Sequence, residues 1–298
     1  MKTPQKSLVT YKLQKNIITV LFLFAPITLL VVFTFIPVLN MVRFSFTDWN
    51  GYEKVKQFIG FENYIELFST PEYFQVFIVS LYYIVGAFVQ LALSLYFATI
   101  LSFKIRGKNF FKGTLFFPYL LNGVAIGFIF LYFFQPEGVL DQLLTTMGLS
   151  SLITQWTGNR QMINISLAAV SVWRYMGLNF VMFMGAIQSI PSEIYEVSEI
   201  DGAGRWQQFW YIIIPGIMPI ISLSLILAIR GAISVFEIPY VMTGGANGSN
   251  TFIIQTVNEA FKLQRVGLAA AMGVVLMIIV LVIAGIQHWL LEREPEKG

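Results

Sequence analysis

The sequence predicts an all-α membrane protein with six transmembrane helices, and three observations carry that prediction. Charged residues make up only 12% of the 298 positions, half the ~25% typical of soluble domains. Hydrophobic residues reach 56%, with a mean hydropathy of +0.71. Apolar runs recur at the ~20-residue length that crosses a ~30 Å hydrocarbon core as a helix. The chain has no cysteine, which excludes disulfide scaffolds, thiolate metal sites and cysteine nucleophiles. A net charge of +3 says little alone, because the placement of Lys and Arg is what informs in a membrane protein.

The predicted spans run roughly 17–39, 74–103, 113–135, 163–188, 211–236 and 266–291. The first exceeds the ~7–15-residue apolar core of a signal peptide and no A-x-A site follows, so it reads as a retained helix. Between the first two lies "FTDWNGYEKVKQFIGFENYIELFSTPEYF", and after the fifth lies "TGGANGSNTF". Both are rich in Gly, Asn, Thr and aromatics, as ordered surface loops are. The whole chain, 1–298, reads as a single transmembrane domain with no repeat and no soluble domain.

Positive charges orient the bundle. Eleven fall on one side: Lys2, Lys6, Lys12, Lys15, Lys104, Arg106, Lys108, Lys112, Arg205, Arg293 and Lys297. Six fall on the other: Arg43, Lys54, Lys56, Arg160, Lys262 and Arg265. The positive-inside rule then places both termini in the cytoplasm, together with the connection between the fourth and fifth spans.

That connection, about 189–210, contains "EVSEIDGAGRWQQFWYIIIPG". Pro191 suits the first turn of a helix, and Glu193 and Glu196 follow where the helix dipole favours acids. At Asp201-Gly202-Ala203-Gly204 two close glycines should end it, since glycine permits φ > 0. Arg205, Trp206, Phe209 and Trp210 then resume helical spacing, and Pro215 marks entry to the fifth span. The residues read either as a helix–bend–helix knob that fits a partner's cleft, or as a solvated linker with an interfacial aromatic belt.

Glu196-Val197-Ser198, two residues, Asp201-Gly202-Ala203, eight residues and Ile212-Ile213-Ile214-Pro215 resemble the EAA motif of ABC importer permeases. The pattern there is E-A-A, x2, D-G-A, x8, I-x-L-P; Val-Ser replaces Ala-Ala and Ile214 replaces Leu. Further stretches, "LFLFAPITLLVVFTFIPVLNMVRFSFTDWNG", "FFKGTLFFPYLL", "QSIPSEIYE" and "FEIPYVMTGGANGSNT", are similar to the maltose and glycerol-3-phosphate permease type, in its compact six-helix form. The resemblance implies the type I importer permease fold in a bacterial cytoplasmic membrane. It implies a half-channel without cofactor, paired with a second homologous permease subunit above two ATPase subunits. A binding protein outside would deliver a sugar or oligosaccharide. Glu193, Glu196, Asp201, Gly202, Ala203 and Arg205 would form the coupling segment that enters an ATPase cleft, with Gly202 as the bend. Another polar solute, such as a polyol or glycerol phosphodiester, stays open as the cargo.

Other classes fare worse. Gly107-Lys108-Asn109 is no P-loop, which needs G-x-x-x-x-G-K-[ST]. One histidine and no cysteine leave an embedded enzyme without a metal or nucleophile set, and His288 beside Trp289 reads as interfacial. No acid is placed for a deep proton relay, and nothing points to nucleic acid. Asn247-Gly248-Ser249 matches a glycosylation acceptor only as a tripeptide.

Two arginines interrupt the spans. Arg174 lies ~16 Å into the fourth at ~1.5 Å per residue, near the bilayer centre. Lipid exposure there costs at least ~2.5 kcal/mol, so it should face a cavity or a partner. With Trp173 and Tyr175, and with Gln90 and Asn122 at mid-depth on neighbouring spans, it is the candidate substrate path; the alternative is a purely structural pairing. Arg230 lies nearer the outer surface, close enough to snorkel, and is expected to serve the outer gate or to pair with Glu237. The outer loop, with Thr243, Gly244, Gly245 and Asn247, is expected either to approach a ligand or binding protein or to be an ordinary flexible hairpin.

Overall fold

The computed structural model describes residues 5–102 and 107–291. Of the orienting charges, Lys2, Lys104, Arg106, Arg293 and Lys297 lie outside the described residues, as does the last residue of the expected second span. The fold is all-helical: α1 Gln5–Leu30, α2 Ile36–Phe44, α3 Glu62–Ser69, α4 Glu72–Gln75, α5 Phe77–Ser102, α6 Lys108–Leu120, α7 Gly123–Phe133, α8 Val139–Thr146, α9 Ile163–Gln188, α10 Ser192–Ile200, α11 Arg205–Gln208, α12 Ile214–Ile233, α13 Glu237–Thr243, α14 Phe252–Val257 and α15 Val266–Leu291. Among the described residues, five helices are long and apolar enough to span a membrane, and α6 with α7 forms a bent pair. By contacts the chain divides into two units, residues 1–69 with 259–275, and 70–258 with 276–298.

In the first unit, α1 and α2 run together through a π turn at Val31–Phe35. The following loop is pinned by Asn63, whose amide donates to the carbonyls of Ser45 and Thr47, each at 2.9 Å. Gly267 N–H donates to Trp49 O at 2.9 Å. A side chain at Gly267 would collide with the Thr47 carbonyl, so only glycine permits this approach. Arg265 pairs with Glu66.

The second unit is built on α5 against α9. The buried positions of α5 begin with the adjacent Val79 and Ser80; from Ser80 on, Tyr83, Ala87, Gln90, Ser94, Ala98 and Leu101 recur every three or four residues, and most of the set is small or polar. Small residues let membrane helices approach closely. Here Ser94 Oγ reaches the Met176 carbonyl of α9 at 2.8 Å. Large apolar residues such as Ile78, Leu81 and Val85 face outward, as lipid solvation requires. Two cores follow. Tyr83, Ile126, Ile163, Leu167 and Met242 sit at one end; Ala98, Phe180, Phe183, Ile187, Ile213 and Ile217 sit at the other, beneath α10 and α11.

The third apolar run, expected as one helix over 113–135, is instead two helices bent by 99°. Leu121 is extended, with ψ 142°, and Asn122 Oδ1 accepts from Val124 N at 2.8 Å as the N-cap of α7. Pro118 denies α6 one backbone bond near its end, and the cap restarts the helix in a new direction. The fifth run is also interrupted. Pro215 has no N–H, and upstream of it Ile214 N–H reaches back to Phe209 O in a π turn. At Ser234–Phe236 the helix stops, and α13 begins at Glu237.

Candidate functional site

The segment carrying the EAA-like pattern is two short helices with a built bend. Pro191 is the N-cap of α10, one residue ahead of the expected position. At the far end Gly202 has φ +80°. Gly202 N–H donates to Glu199 O at 3.1 Å and Ala203 N–H to Ser198 O at 2.9 Å. These two bonds are the Schellman pair that closes a helix on a left-handed residue. α11 then opens with Gly204 N–H bonded to Gln207 Oε1 at 2.8 Å.

Buried Gln208 ties the helices together, its Nε2 donating to Ser198 Oγ at 3.0 Å. Ser198, a departure from Ala in the pattern, therefore carries the tie. The outward side combines Ile194, Val197 and Ile200, the last 85% exposed, with exposed Glu193 and Glu196. Asp201 and Arg205 are exposed at the bend, and Ala203 is half-buried. Beneath, Ile213 packs into one close-packed core with Ala98 of α5 and with Phe183 and Ile187 of α9. Burial pushes the Tyr195 phenol up from its ordinary range.

The second candidate lies mid-way along α9. Arg174 Nη1 donates to Glu237 Oε2 at 2.8 Å, with the arginine side chain 12% exposed and the glutamate 52%. The arginine also stands 5.0 Å from the centre of the Tyr175 ring. Gly123, first residue of α7, backs the pair; a Cβ there would overlap both Arg174 Nη1 and the Glu237 carboxylate. One turn further along α7, Gly127 gives the same close approach to Val241 of α13. Ser171, Arg174, Tyr175 and residues 234–238 line a hollow of about 280 Å³. Two buried polar atoms on its walls, Ser171 Oγ and Arg174 Nε, have no protein partner. Each such orphan costs ~1–3 kcal/mol.

The break in α6–α7 and the break before α13 thus meet around Arg174. This corrects the expectation that Arg230 pairs with Glu237. The helix ends at Ile233, so the two residues share no continuous face, and Glu237 turns to Arg174. Arg230 is exposed in the last turn of α12. Trp173 is separated from Arg174 as well. It lines a larger apolar groove between α5 and α9, with its ring 5.2 Å from that of Phe130. Successive helix positions point ~100° apart, so Trp173 and Tyr175 cannot flank one cavity. Asn122 is exposed and commits its carbonyl oxygen to the α7 cap. Gln90 is buried on the α5 face. Gly123 and Ser171 were missed by the sequence reading, and Glu237 was read only as a partner for Arg230; its pairing with Arg174 was missed. An acid closing one apolar run and an arginine inside another were the signal available for that pairing.

The glycine loop is not a loose hairpin. Gly244, Gly245, Asn247 and Gly248 all have positive φ. Thr243 Oγ1 lies 2.6 Å from Ser249 Oγ. Asn247 Nδ2 donates to Thr157 O at 3.1 Å, and Gly248 O accepts from Asn164 Nδ2 at 3.0 Å. Thr251 Oγ1 donates to Val235 O at 2.9 Å.

Residues 90–294 match the family of binding-protein-dependent transport system inner membrane components. The chain belongs to this family. Its members are transport components rather than enzymes. Among relatives, the "Probable ABC transporter permease protein YurN" of Bacillus subtilis is 33% identical over 92% of this chain and 96% of its own. The multiple sugar-binding transport system permease MsmF of Streptococcus mutans is 32% identical over 89% of this chain and 92% of its own. The fold matches a chain of the bacterial alginate ABC transporter solved in complex with an alginate pentasaccharide-bound periplasmic protein, with TM-score 0.83 at 18% identity, covering 97% and 98% of the two chains.

Proposed function

We propose that this permease is one membrane-spanning half of an ABC importer that takes up a sugar or oligosaccharide delivered by an extracytoplasmic binding protein. A second homologous permease completes the channel, and ATP hydrolysis on two partner ATPases drives it. The names of MsmF and of the alginate transporter support the cargo class. The observation that carries the coupling role is the α10–α11 knob. It exposes Ile194, Val197 and Ile200 beside Glu196, while Gln208 ties its two helices together and Ile213 anchors it to the core. An exposed apolar stripe on a rigid polar knob calls for a partner's cleft. With both termini cytoplasmic, the knob faces the ATPases.

Arg174 and Tyr175 then form part of the substrate path. The chain has no cysteine, so Ile200→Cys introduces a single thiol. Cross-linking it to cysteines placed in the ATPase cleft should succeed in the assembled transporter and change in yield with ATP. Absence of any ATPase adduct, with a positive control elsewhere on the interface, sinks the coupling role.

A further inference from the structure

We propose that Glu237 makes the Arg174 hollow an electroneutral, hydroxyl-reading site, so that this path selects neutral polyhydroxylated solutes over anionic ones. The proposal rests on the reading of Arg174 as a substrate-path residue. A lone buried guanidinium would attract carboxylates and phosphates, because it offers five donors and no acceptor. Here its charge is already met by a carboxylate at 2.8 Å. Arg174 and Glu237 are the two charged groups among the described residues lining the hollow. An acidic ligand entering it finds no uncompensated cation and one repelling anion.

What remains unpaired suits a hydroxyl. Arg174 Nε–H is a buried donor without an acceptor, and Ser171 Oγ is a buried hydroxyl without a partner. Ser171, Arg174 and Tyr175 fall on one face of α9, at the i, i+3, i+4 spacing that brings side chains together. Glu237 uses Oε2 for the ion pair and has Oε1 to accept from a ligand. A sugar hydroxyl both donates and accepts, so one ring edge can satisfy the guanidinium and the carboxylate together. The Tyr175 ring supplies the apolar surface on which a sugar's C–H face rests. A volume of about 280 Å³ is near the small end of the ~300–1,000 Å³ of ligand sites, enough for a terminal residue rather than a whole chain.

The test uses the assembled permease–ATPase complex in lipid nanodiscs without binding protein, with saturation-transfer NMR titrations of maltotriose and trigalacturonate. Wild type should favour the neutral probe at least about tenfold. Glu237→Gln unmasks the arginine and should shift the ratio toward trigalacturonate by about tenfold. Arg174→Gln leaves a lone carboxylate; it should weaken maltotriose yet raise the discrimination against the acid. The double variant, without either charge, should show no gain of acid binding.

An unchanged ratio in Glu237→Gln, with maltotriose still weakened by Arg174→Gln, overturns the charge selection and leaves the path reading standing. If Arg174→Gln leaves both affinities unchanged, the path reading fails and the proposal with it. Wild-type preference for the acid, or no wild-type binding of either probe, also overturns the proposal. If Glu237→Gln does not assemble, the Arg174→Gln ratio decides: no rise in discrimination overturns it.

Discussion

Gly202 and Gly123 are both glycines for structural reasons, and the reasons differ. A Cβ at Gly202 would meet open space, but its φ of +80° is one that L side chains adopt at a cost of roughly 1–2 kcal/mol. Gly202→Leu should therefore leave expression and assembly near wild type while distorting the α10–α11 bend. Transport and substrate-stimulated ATP hydrolysis in proteoliposomes should fall several-fold. Gly202→Asn should retain more activity, because asparagine tolerates the left-handed region. Equal losses in the two variants would remove φ as the cause.

At Gly123 the constraint is space, since any side chain displaces the Arg174–Glu237 pair. Gly123→Val should lower uptake and thermal stability together. Gly185, also on α9 and with nothing near its Cβ position, should accept alanine with unchanged or slightly higher stability, given the ~0.5–1 kcal/mol helix preference for alanine.

Among elements, the bend between α6 and α7 and the α10–α11 knob each rest on one polar side chain. The Asn122 cap starts α7 in its new direction. Asn122→Ala should cost ~1 kcal/mol, seen as a lower melting temperature of the purified permease complex, while Asn122→Asp keeps an acceptor and most of the stability. A melting temperature equal to wild type in Asn122→Ala would show that packing alone holds the bend. In the α10–α11 knob, Gln208→Leu removes the tie to Ser198, worth ~0.5–1.5 kcal/mol. The loss should appear as looser coupling, with a smaller stimulation of ATP hydrolysis by substrate over the basal rate. Glu196→Lys reverses charge on the exposed face and should weaken ATPase co-purification without changing the permease fold; undiminished co-purification at raised salt would exclude Glu196 from the contact.

At the scale of the whole molecule, the glycine loop and the knob belong to the same second unit, at opposite ends of α9. The loop is tied down through Thr157, Asn164 and Val235, so deleting residues 244–248 should impair assembly as well as sugar delivery. Asn247→Ala removes one hydrogen bond and separates the two effects. It should leave complex yield intact, and a fall in uptake at subsaturating binding protein would place the loop at the delivery interface. Uptake equal to wild type at every binding-protein concentration would make it a structural turn.

How much of this was legible in the sequence depended on how local the cause was. Composition pointed to a membrane protein and residue order to the family, because hydropathy and a spaced motif need no tertiary information; run length located the apolar stretches but not the breaks within the third and fifth. The bend at Gly202 was readable too, since a Schellman turn is closed by neighbours. The Asn122 break was not read, although Pro118 and Gly123 mark it, because apolar composition alone does not distinguish a straight span from a bent one. Only the tertiary structure decided that Glu237 answers Arg174 rather than Arg230, that Trp173 faces a different hollow, and that Gly123 makes room for the ion pair. Arg174 and Glu237 lie 63 residues apart. A buried charge takes whichever counter-charge the packing brings within reach, and spacing along one helix carries no information about a neighbour that arrives after a break.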